Sequence, residues 1–332
     1  MDFIKLIMMD RRTFIKKSTL LAGSALLYPR MSACKSIQTH GQSVVVQVTH
    51  KAKPTNARQI IAMLDKGMCG LYDCDNPVEA WQKVVKPGEV VGLKVNCLSG
   101  YGSTHTQLTD AIVEKLQEAG IRNRDIIIWD RLNKDLEGGG FSIQDQKNRL
   151  RIIGNDQLGF DNNLQVSGSV ASLVCNTIVR ECDCIINLPL LKDHSIAGLT
   201  MALKNMFGAI HNPNKYHLNA GNPYIADVNT LSPIRKKVRL HICDAIEAQY
   251  EGGPSFMPHW RWPLNSLLFS TDPVAMDYQG WKIIDAKRIE MGLQSLKQAG
   301  REPLYIATAA DNAHQLGINN PDKINFHKLI IS

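Results

Sequence analysis

Two lysines and a histidine in the middle of the chain supply the residue types that acid–base chemistry on an anion requires. Lys192 and His194 lie shortly after a predicted strand, and Lys204 follows in the next predicted element. A lysine can bind an anionic group or stabilise developing negative charge, and a histidine of ordinary pKa exchanges protons near neutral pH. We therefore predict that Lys192, His194 and Lys204 are catalytic residues acting on an anionic small molecule.

The segment 197–210 predicts a helix that is apolar almost all round. At about 100° per residue, Thr200, Lys204 and His211 lie within about 40° of one another on that helix. A lysine charge on a buried helix needs a partner, which favours a stripe that faces a ligand. The alternative is a lysine at the helix edge whose charged end reaches water.

Polar residues also follow the ends of several predicted strands. They are Lys94, Asn96, Thr104 and His105, then Asp130 and Arg131, then Asn187, Asp244 and Asp272. Ligands of open α/β sheets bind beyond the carboxyl ends of strands, so these residues converge if the strands are parallel. For Asp272, followed by Pro273, the start of a helix is the favoured alternative.

A set of substrate-binding residues follows from these positions. The predicted set is Lys94, Asn96, Asn187, Thr200, Asn205, Gly252 and Gly253. The two glycines belong to it because Gly252-Gly253-Pro254 suits either a tight turn or the close approach of backbone to a ligand.

Histidines and carboxylates further along the chain form a candidate metal site. His211, His217, Asp227 and Asp244 are residue types that bind zinc or another divalent cation. Their spacing matches no fixed metal motif, and the alternative is that the histidines are surface or structural residues. In a site without metal, Asp227 and Asp244 would orient His194.

The eight cysteines give no strong cofactor signal. The sequence contains no Cys-x2-Cys and no ferredoxin-type run of four cysteines. Cys182 and Cys184 are predicted as small buried side chains leading into a strand, rather than as two metal-binding thiolates. Cys69 and Cys74 could form a disulfide in an oxidising compartment.

The order of predicted elements indicates the fold class. Strands are predicted at 44–49, 89–96, 125–129, 184–188, 238–243, 267–270 and 328–331, and helices at 57–66, 108–119, 197–210 and 274–284, with a loop or small insertion at 131–165. Alternating strands and helices predict an α/β fold. We expect a mainly parallel sheet flanked by helices in Rossmann-like layers, as one domain over 40–332 with a loop-rich insertion around 211–265.

The first 33 residues predict a twin-arginine signal peptide. Arg11 and Arg12 are followed by an apolar run at 20–27 that is far shorter than the ~20 residues needed to span a bilayer. The protein is therefore expected to meet the twin-arginine translocase and to be exported, to the periplasm or to a membrane surface. Ala33-Cys34 suits either lipidation of Cys34 or ordinary cleavage near Ala33; an amphipathic N-terminal helix is the alternative for the whole segment. Because twin-arginine export carries folded proteins, it favours a bound cofactor, although the sequence leaves the identity of any cofactor open between a divalent metal and an iron–sulfur cluster.

The charge distribution argues against a nucleic-acid partner. The net charge is +7, but residues 1–33 carry six lysines and arginines against two aspartates. The remainder is nearly balanced and would attract phosphate backbones only weakly. No phosphate-binding loop or dinucleotide-binding glycine motif occurs, so ATP or NAD binding lacks its usual signature.

Several motifs, taken together and in order, resemble the DUF362 family. The matching segments are 94–96, 106–120 leading to 125–130, 187–194, 202–208, 225–229, 242–245, 252–254 and 272–277, within about residues 44–285. The resemblance implies one domain with a pocket formed by Lys192, His194, Lys204, Asp227, Asp244 and Asp272. Relatives are often described as iron–sulfur proteins, which implies redox chemistry. This chain lacks their Cys-rich segment, so cluster ligands would have to come from scattered cysteines or from a partner protein.

Two functional hypotheses follow. The first is an exported enzyme that uses a divalent metal or an iron–sulfur cluster and acts on an anionic small molecule, with redox chemistry favoured by the resemblance. The second is a non-catalytic periplasmic protein that binds an anion or assists another protein.

Overall fold

The computed structural model describes residues 41–332. The predicted signal peptide and Cys34 lie outside these residues. The helices are α1 (Ala57–Tyr72), α2 (Pro77–Gln82), α3 (Thr106–Glu118), α4 (Asn133–Gly138), α5 (Asn155–Leu158), α6 (Ala202–Asn205), α7 (Tyr224–Thr230), α8 (Ser232–Lys237), α9 (Pro273–Glu290) and α10 (Tyr305–Ala309). The strands are β1 (Ser43–His50), β2 (Val91–Lys94), β3 (Ile126–Asp130), β4 (Arg151–Gly154), β5 (Gln165–Ser167), β6 (Val170–Ser172), β7 (Cys184–Asn187), β8 (Leu190–His194), β9 (Gly198–Thr200), β10 (Val238–Gln249), β11 (Arg261–Ser270) and β12 (Ile324–Ile331).

The main sheet has the order β12-β1-β11-β10-β7-β2-β3-β4, and β8 pairs with both β10 and β9. Strands β10, β7, β2, β3 and β4 are parallel neighbours, whereas β11 is antiparallel to β10 and to β1. The predicted α/β fold with a mainly parallel sheet is confirmed. None of the helices within 41–332 is long and apolar enough to span a membrane.

Each face of the sheet carries its own apolar core, because successive side chains of a strand point to opposite faces. Ile186 packs with α1, α2 and α3, where Leu64, Trp81 and Leu116 are fully buried. Ile185, on the other face, belongs to the core that α7 and α9 cover. Burial on both faces explains why the central strands are continuous apolar runs.

The order of strands places a topological switch point between β2 and β7. The chain proceeds from β2 outward through β3 to β4 and then returns to β7 on the other side of β2. Lys94 at the end of β2 is in register with Asn187 at the end of β7. Ligands of open α/β sheets bind at such a point, beyond the carboxyl ends of the strands.

The prediction of a helix at 197–210 is wrong. The segment forms strand β9, the short helix α6 and a 3₁₀ turn over Met206–Ala209. Two features break a continuous helix. Gly198 has φ +77° and packs so tightly that a Cβ would lie 2.1 Å from the carbonyl oxygen of Arg301, and Met201 has a non-helical backbone, with φ −158° and ψ −145°. Thr200, Lys204 and His211 therefore do not share a helical stripe.

Two further expectations need correction. The segment 131–165 is not a plain loop, because it contains α4, α5, the edge strand β4 and the start of the β5–β6 hairpin. Asp272 does not join the other strand-end residues, because β11 runs antiparallel and ends at the opposite edge of the sheet. The Asp272 carboxylate instead accepts hydrogen bonds from the N–H groups of Val274, Ala275 and Ile318, capping α9.

Candidate functional site

Lys192 and Lys204 are buried lysines without carboxylate partners. Their residues are 4% and 9% exposed. The Lys192 ammonium donates to Ser99 Oγ at 2.8 Å and to the Pro254 carbonyl at 3.3 Å. Lys204 Nζ lies 3.0 Å from His217 Nε2 and 4.4 Å from the centre of the Phe207 ring. No acidic side chain within 41–332 forms an ion pair with either lysine.

Both lysines lose part of their affinity for protons as a result. Burial lowers the pKa of Lys192 to about 8. Burial and, after it, the positive charge of Lys192 lower the pKa of Lys204 to about 7. A lysine carries three N–H donors, so donors remain for a ligand after the contacts with protein atoms. The pair is an electropositive site in which neither ammonium group forms an ion pair with a carboxylate of residues 41–332, although the charge of Asp130 partly offsets the effect of burial on the pKa of Lys192.

His194 and His217 stack beside these lysines, with ring centres 5.8 Å apart. His194 Nδ1 accepts hydrogen bonds from the backbone N–H groups of Ile196 and Ala197, both at 3.1 Å. A proton on Nδ1 would face two donors, so the ring is neutral with its proton on Nε2. Burial, and then Lys204, His217 and Lys192, lower the pKa of His194 to about 2.

This environment argues against the acid–base role predicted for His194, because a ring with so low a pKa is neutral near pH 7 and a weak proton acceptor. That His194 is a catalytic residue stays a prediction. The structure leaves His194 as a neutral ring that can donate one hydrogen bond through Nε2. His194 lies beside Lys192 and Lys204, which agrees with the prediction that the three side chains belong to one site.

Thr200 is a buried hydroxyl next to this site. It lies opposite Lys192 in the β8–β9 pair. Its Oγ1 is buried and makes no hydrogen bond within the described part of the chain. Buried polar atoms are seldom left unpaired, and an exception often marks a place for a ligand or water.

Lys94, Asn96, Asn187 and Asn205 form a hydrogen-bonded network at the switch point. Asn205 Oδ1 accepts from Asn96 Nδ2 at 2.9 Å and from Lys94 Nζ at 3.3 Å, while Asn205 Nδ2 donates to Asn187 Oδ1 at 2.7 Å. Asn187 Nδ2 in turn donates to the Ala202 carbonyl at 2.8 Å. The network fixes α6, which carries Lys204, against the ends of β2 and β7.

Within this network, Lys94 differs from the other two lysines. Its ammonium lies 2.7 Å from Asp130 Oδ1 and 2.6 Å from the Val95 carbonyl, in addition to its contact with Asn205. These three contacts match its three donors, so the geometry does not support a direct contact of Lys94 with substrate. Asn96 differs again, because its Oδ1 is buried without a partner in the described structure.

Gly252 and Gly253 form a turn whose backbone packs against the backbone of Asp193. A Cβ on Gly253 would lie 2.1 Å from the Asp193 carbonyl oxygen, and its N–H donates to Asp193 Oδ1 at 2.8 Å. This tight packing places the next residue, Pro254, where its carbonyl accepts from Lys192. The close approach is to protein backbone, which favours the tight-turn interpretation.

Asp277 positions α6, a role that sequence reasoning missed. Its carboxylate is fully buried and accepts from the N–H groups of Ala202 at 2.7 Å and Leu203 at 3.2 Å. These donors open α6 and have no partner inside the helix. The signal in the sequence was an aspartate in the buried first part of α9.

A pair formed by His105 and Asp244 was also missed. His105 Nδ1 lies 2.8 Å from Asp244 Oδ2, and the same oxygen accepts from the His105 N–H at 2.9 Å. The sequence placed each residue after a strand end but gave no reason to join them.

The four predicted metal ligands do not form one site. Asp227 forms hydrogen bonds with the Ser169 N–H and with His314. Asp244 forms a hydrogen bond with His105, and His217 forms one with Lys204. His211 packs edge-on against Phe160 and lines a separate cavity of about 330 Å³. Within 41–332, no three His, Cys, Asp or Glu side chains gather in a way that could hold a metal ion. Neither Asp227 nor Asp244 bonds to His194, so neither orients it.

The cysteines do not fit an iron–sulfur cluster either. Cys182 lies in one apolar core and Cys184 in the other. Burial raises the pKa of Cys175 and of Cys184 to about 12, which opposes the thiolate form that binds iron. Cys69 and Cys74 are separate thiols in the described structure.

Comparisons with known proteins identify a family and two similar proteins. A model of the family described as "Domain of unknown function (DUF362)" matches residues 91–282. A thylakoid-associated protein of Synechocystis sp. is 28% identical over 189 residues, which cover 54% of this chain and 58% of that protein. A crystal structure of a protein from Thermotoga maritima is similar at 11% identity with a TM-score of 0.42, over 67% of this chain and 57% of that one. The chain thus spans less than two thirds of the length of either.

Proposed function

The chain belongs to the DUF362 family, and from this premise we propose that it is an exported enzyme that binds a small carboxylate or phosphate between Lys192 and Lys204. The observation that carries the proposal is that both ammonium groups are buried and that no carboxylate of residues 41–332 pairs with them. Burying an unpaired charge is costly, whereas a bound anion would supply the missing countercharge. An anion is therefore the ligand that this geometry favours.

The surroundings of the two lysines support an anion over a neutral ligand. Thr200 Oγ1 and His194 Nε2 are hydrogen-bond donors beside the lysines, and the charged oxygens of a carboxylate or a phosphate accept hydrogen bonds. A phosphate or carboxylate of small size would accept from the lysines and from these neutral donors at once. Charge-assisted hydrogen bonds of this kind are the strong ones.

The lowered pKa of Lys204 supports catalysis. A lysine whose pKa is about 7 is partly neutral at physiological pH, which suits it to donate a proton or to act as a nucleophile. A non-catalytic anion-binding protein is the second candidate, and the neutral state of His194 favours it. The residues of 41–332 do not fit an iron–sulfur cluster or a divalent metal, so the proposal includes no step through either.

Anion binding can be tested by titrating the full chain with inorganic phosphate, and separately with acetate, in a calorimeter. We expect Lys192→Met and Lys204→Met each to weaken binding about tenfold or more, because a hydrogen bond to a charged group contributes about 1.5–3 kcal/mol. Lys282→Met is the matched control, because Lys282 is exposed on α9. Affinity should fall as the pH rises through the range 7 to 8, where the lysines lose their protons. Equal affinity in all variants would overturn the proposal.

Export is the other part of the proposal, and the leader sequence supports it. The relative from Synechocystis is thylakoid-associated. This supports attachment of the exported protein to a membrane, which a lipid on Cys34 would provide. Replacing Arg11 and Arg12 by lysine should leave the chain uncleaved in cell extracts, and mass spectrometry of the mature N-terminus should identify Cys34 or a nearby residue. Unchanged processing of the lysine variant would contradict export by the twin-arginine translocase.

A further inference from the structure

We propose that His105, oriented by Asp244, exchanges a proton with the anion held by Lys192 and Lys204. This inference rests on the proposed function and adds to it a residue that acts on the ligand's proton. It also reassigns the acid–base role that the sequence suggested for His194.

The hydrogen bonds fix how His105 presents its ring. Asp244 is fully buried, and its Oδ2 holds both Nδ1 and the backbone N–H of His105. Asp244 Oδ1 accepts from the Ile246 N–H at 3.2 Å. Nδ1 therefore carries a proton toward the carboxylate, and Nε2 is the atom that can accept or release a proton. The His105 side chain is 27% exposed, so the ring is partly open to solvent.

The sheet places this pair on the same face as Lys192. Asp244 on β10 is in register with Leu190 on the parallel strand β8, and after a register shift in β10 Gln249 is in register with Lys192. Side chains in register on parallel strands point to the same face, and residues two apart on a strand share a face. Asp244, Leu190 and Lys192 thus face the same side of the sheet at its carboxyl edge.

The loop before α3 links His105 to the same lysine. Its two ends are joined by hydrogen bonds between Asn96 and Thr104, in both directions, at 2.9 and 3.0 Å. Between them, Ser99 Oγ accepts from Lys192 Nζ at 2.8 Å. His105 follows directly after this closed loop, so the loop that contacts Lys192 also sets the position of His105.

The charges around His105 favour its protonated form. The Asp244 carboxylate raises the pKa of His105, burial opposes this, and Glu247 adds a smaller increase that Arg261 partly offsets. Lys53 and Arg261 both pair with Glu247. His194 has the opposite environment, because burial and then Lys204, His217 and Lys192 lower its pKa and no carboxylate of residues 41–332 pairs with it. Of the two histidines, His105 is the one that can hold a proton near neutral pH.

The proposed step is a simple proton transfer. Neutral His105 accepts a proton at Nε2 from the bound ligand, and the electron pair of the broken bond stays on the ligand, beside the lysine ammonium groups. The resulting imidazolium is stabilised by Asp244, which remains ionised. The proton returns from Nε2 to the product or to water. In this scheme Asp244 is a positioning residue.

The test uses inorganic phosphate as the probe, because its second protonation falls near neutral pH and its ³¹P chemical shift reports that protonation. The full chain, saturated with phosphate, is titrated with acid and base while the bound ³¹P signal and the His105 ring protons are followed by NMR. We expect the midpoint of His105 to rise by about half a pH unit or more on phosphate binding, as for a charge placed nearby. The midpoint of bound phosphate should change in His105→Gln, which still binds phosphate.

Two variants and one control keep the result interpretable. Asp244→Asn should lower the His105 midpoint, since the carboxylate raises it. His327→Gln is the control, because His327 is exposed on the edge strand β12, and it should leave both midpoints unchanged. Identical phosphate midpoints in the natural protein and His105→Gln would overturn this inference. Absence of both phosphate binding and acetate binding would instead overturn the proposed function.

Discussion

Nζ of Lys204 lies 3.0 Å from Nε2 of His217, and this nitrogen is the hydrogen-bond partner of Lys204 in the described structure. A neutral imidazole nitrogen accepts this hydrogen bond but supplies no negative charge. Burial, and then Lys204, lower the pKa of His217 as well. The contact therefore orients the ammonium without neutralising it, which explains why an anion is expected to complete the site.

Replacing Lys204 should stabilise the protein while weakening its function. The folded-state pKa of about 7 lies below that of an unfolded lysine, 10.5. The unfolded state therefore binds more protons between these values, so stability rises with pH across that window and the cost of the buried charge is greatest below pH 7. We expect Lys204→Met to raise the free energy of unfolding at pH 6.5 by about 1–3 kcal/mol. The gain should vanish above pH 10.

Urea denaturation in phosphate-free buffer, at pH 6.5 and above pH 10, measures the difference in free energy of unfolding between the natural protein and Lys204→Met. Lys282→Met removes an exposed charge and should change stability by no more than about 0.5 kcal/mol. A loss of stability in Lys204→Met at pH 6.5 would mean that the charge is already neutralised.

Replacing Lys94 should have the opposite effect. Lys94 forms a buried ion pair with Asp130, and the side chains are 1% and 8% exposed. Lys94→Met would leave Asp130 as a buried charge without a cation, which typically costs about 3–5 kcal/mol. Denaturant unfolding should show this loss, and adding Asp130→Asn to the variant should restore part of it. Equal effects of Lys94→Met and Lys204→Met would contradict the distinction between paired and unpaired lysines.

A side chain at Gly253 should destabilise the loop that contacts Lys192. The added Cβ would lie 2.1 Å from the Asp193 carbonyl oxygen, whereas at Gly138 the nearest atom is 3.9 Å away. We expect Gly253→Ala to lower stability by about 1–3 kcal/mol through overpacking, and Gly138→Ala, at the end of α4, to change it little. Thermal unfolding of both variants tests this. Similar melting temperatures would show that the turn adapts.

Removing the Asp277 carboxylate should loosen α6 and weaken anion binding at a distance. Asp277→Ala leaves the N–H groups of Ala202 and Leu203 without acceptors, at a cost of about 1–3 kcal/mol for each buried donor. Because Lys204 lies on α6, phosphate affinity measured by calorimetry should fall with stability. Asp322→Ala, in an exposed turn, is the control. Unchanged phosphate affinity in a destabilised Asp277→Ala protein would separate Asp277 from the site.

The sequence by itself determined the layered architecture and part of the site. Apolar runs indicate buried strands, and the helical spacing of Leu108, Ile112 and Leu116 indicates a helix with one buried face. These patterns predict the order of strands and helices along the chain. The carboxyl ends of parallel strands meet at one edge, so the grouping of Lys94, Asn96 and Asn187 followed from the predicted fold alone. These residues do form one network.

Only the tertiary structure decided which charges are paired. Lys94 and Lys192 occupy similar positions in the sequence pattern, yet one meets Asp130 and the other meets no carboxylate within 41–332. His105 and Asp244 are far apart in the chain, and the register of β10 beside β8 brings Asp244 to this edge. The tight packing of Gly198 likewise overrode the helical pattern of 197–210. Periodicity records burial along one element, whereas pairing, protonation and close packing depend on distances between elements, which the fold alone sets.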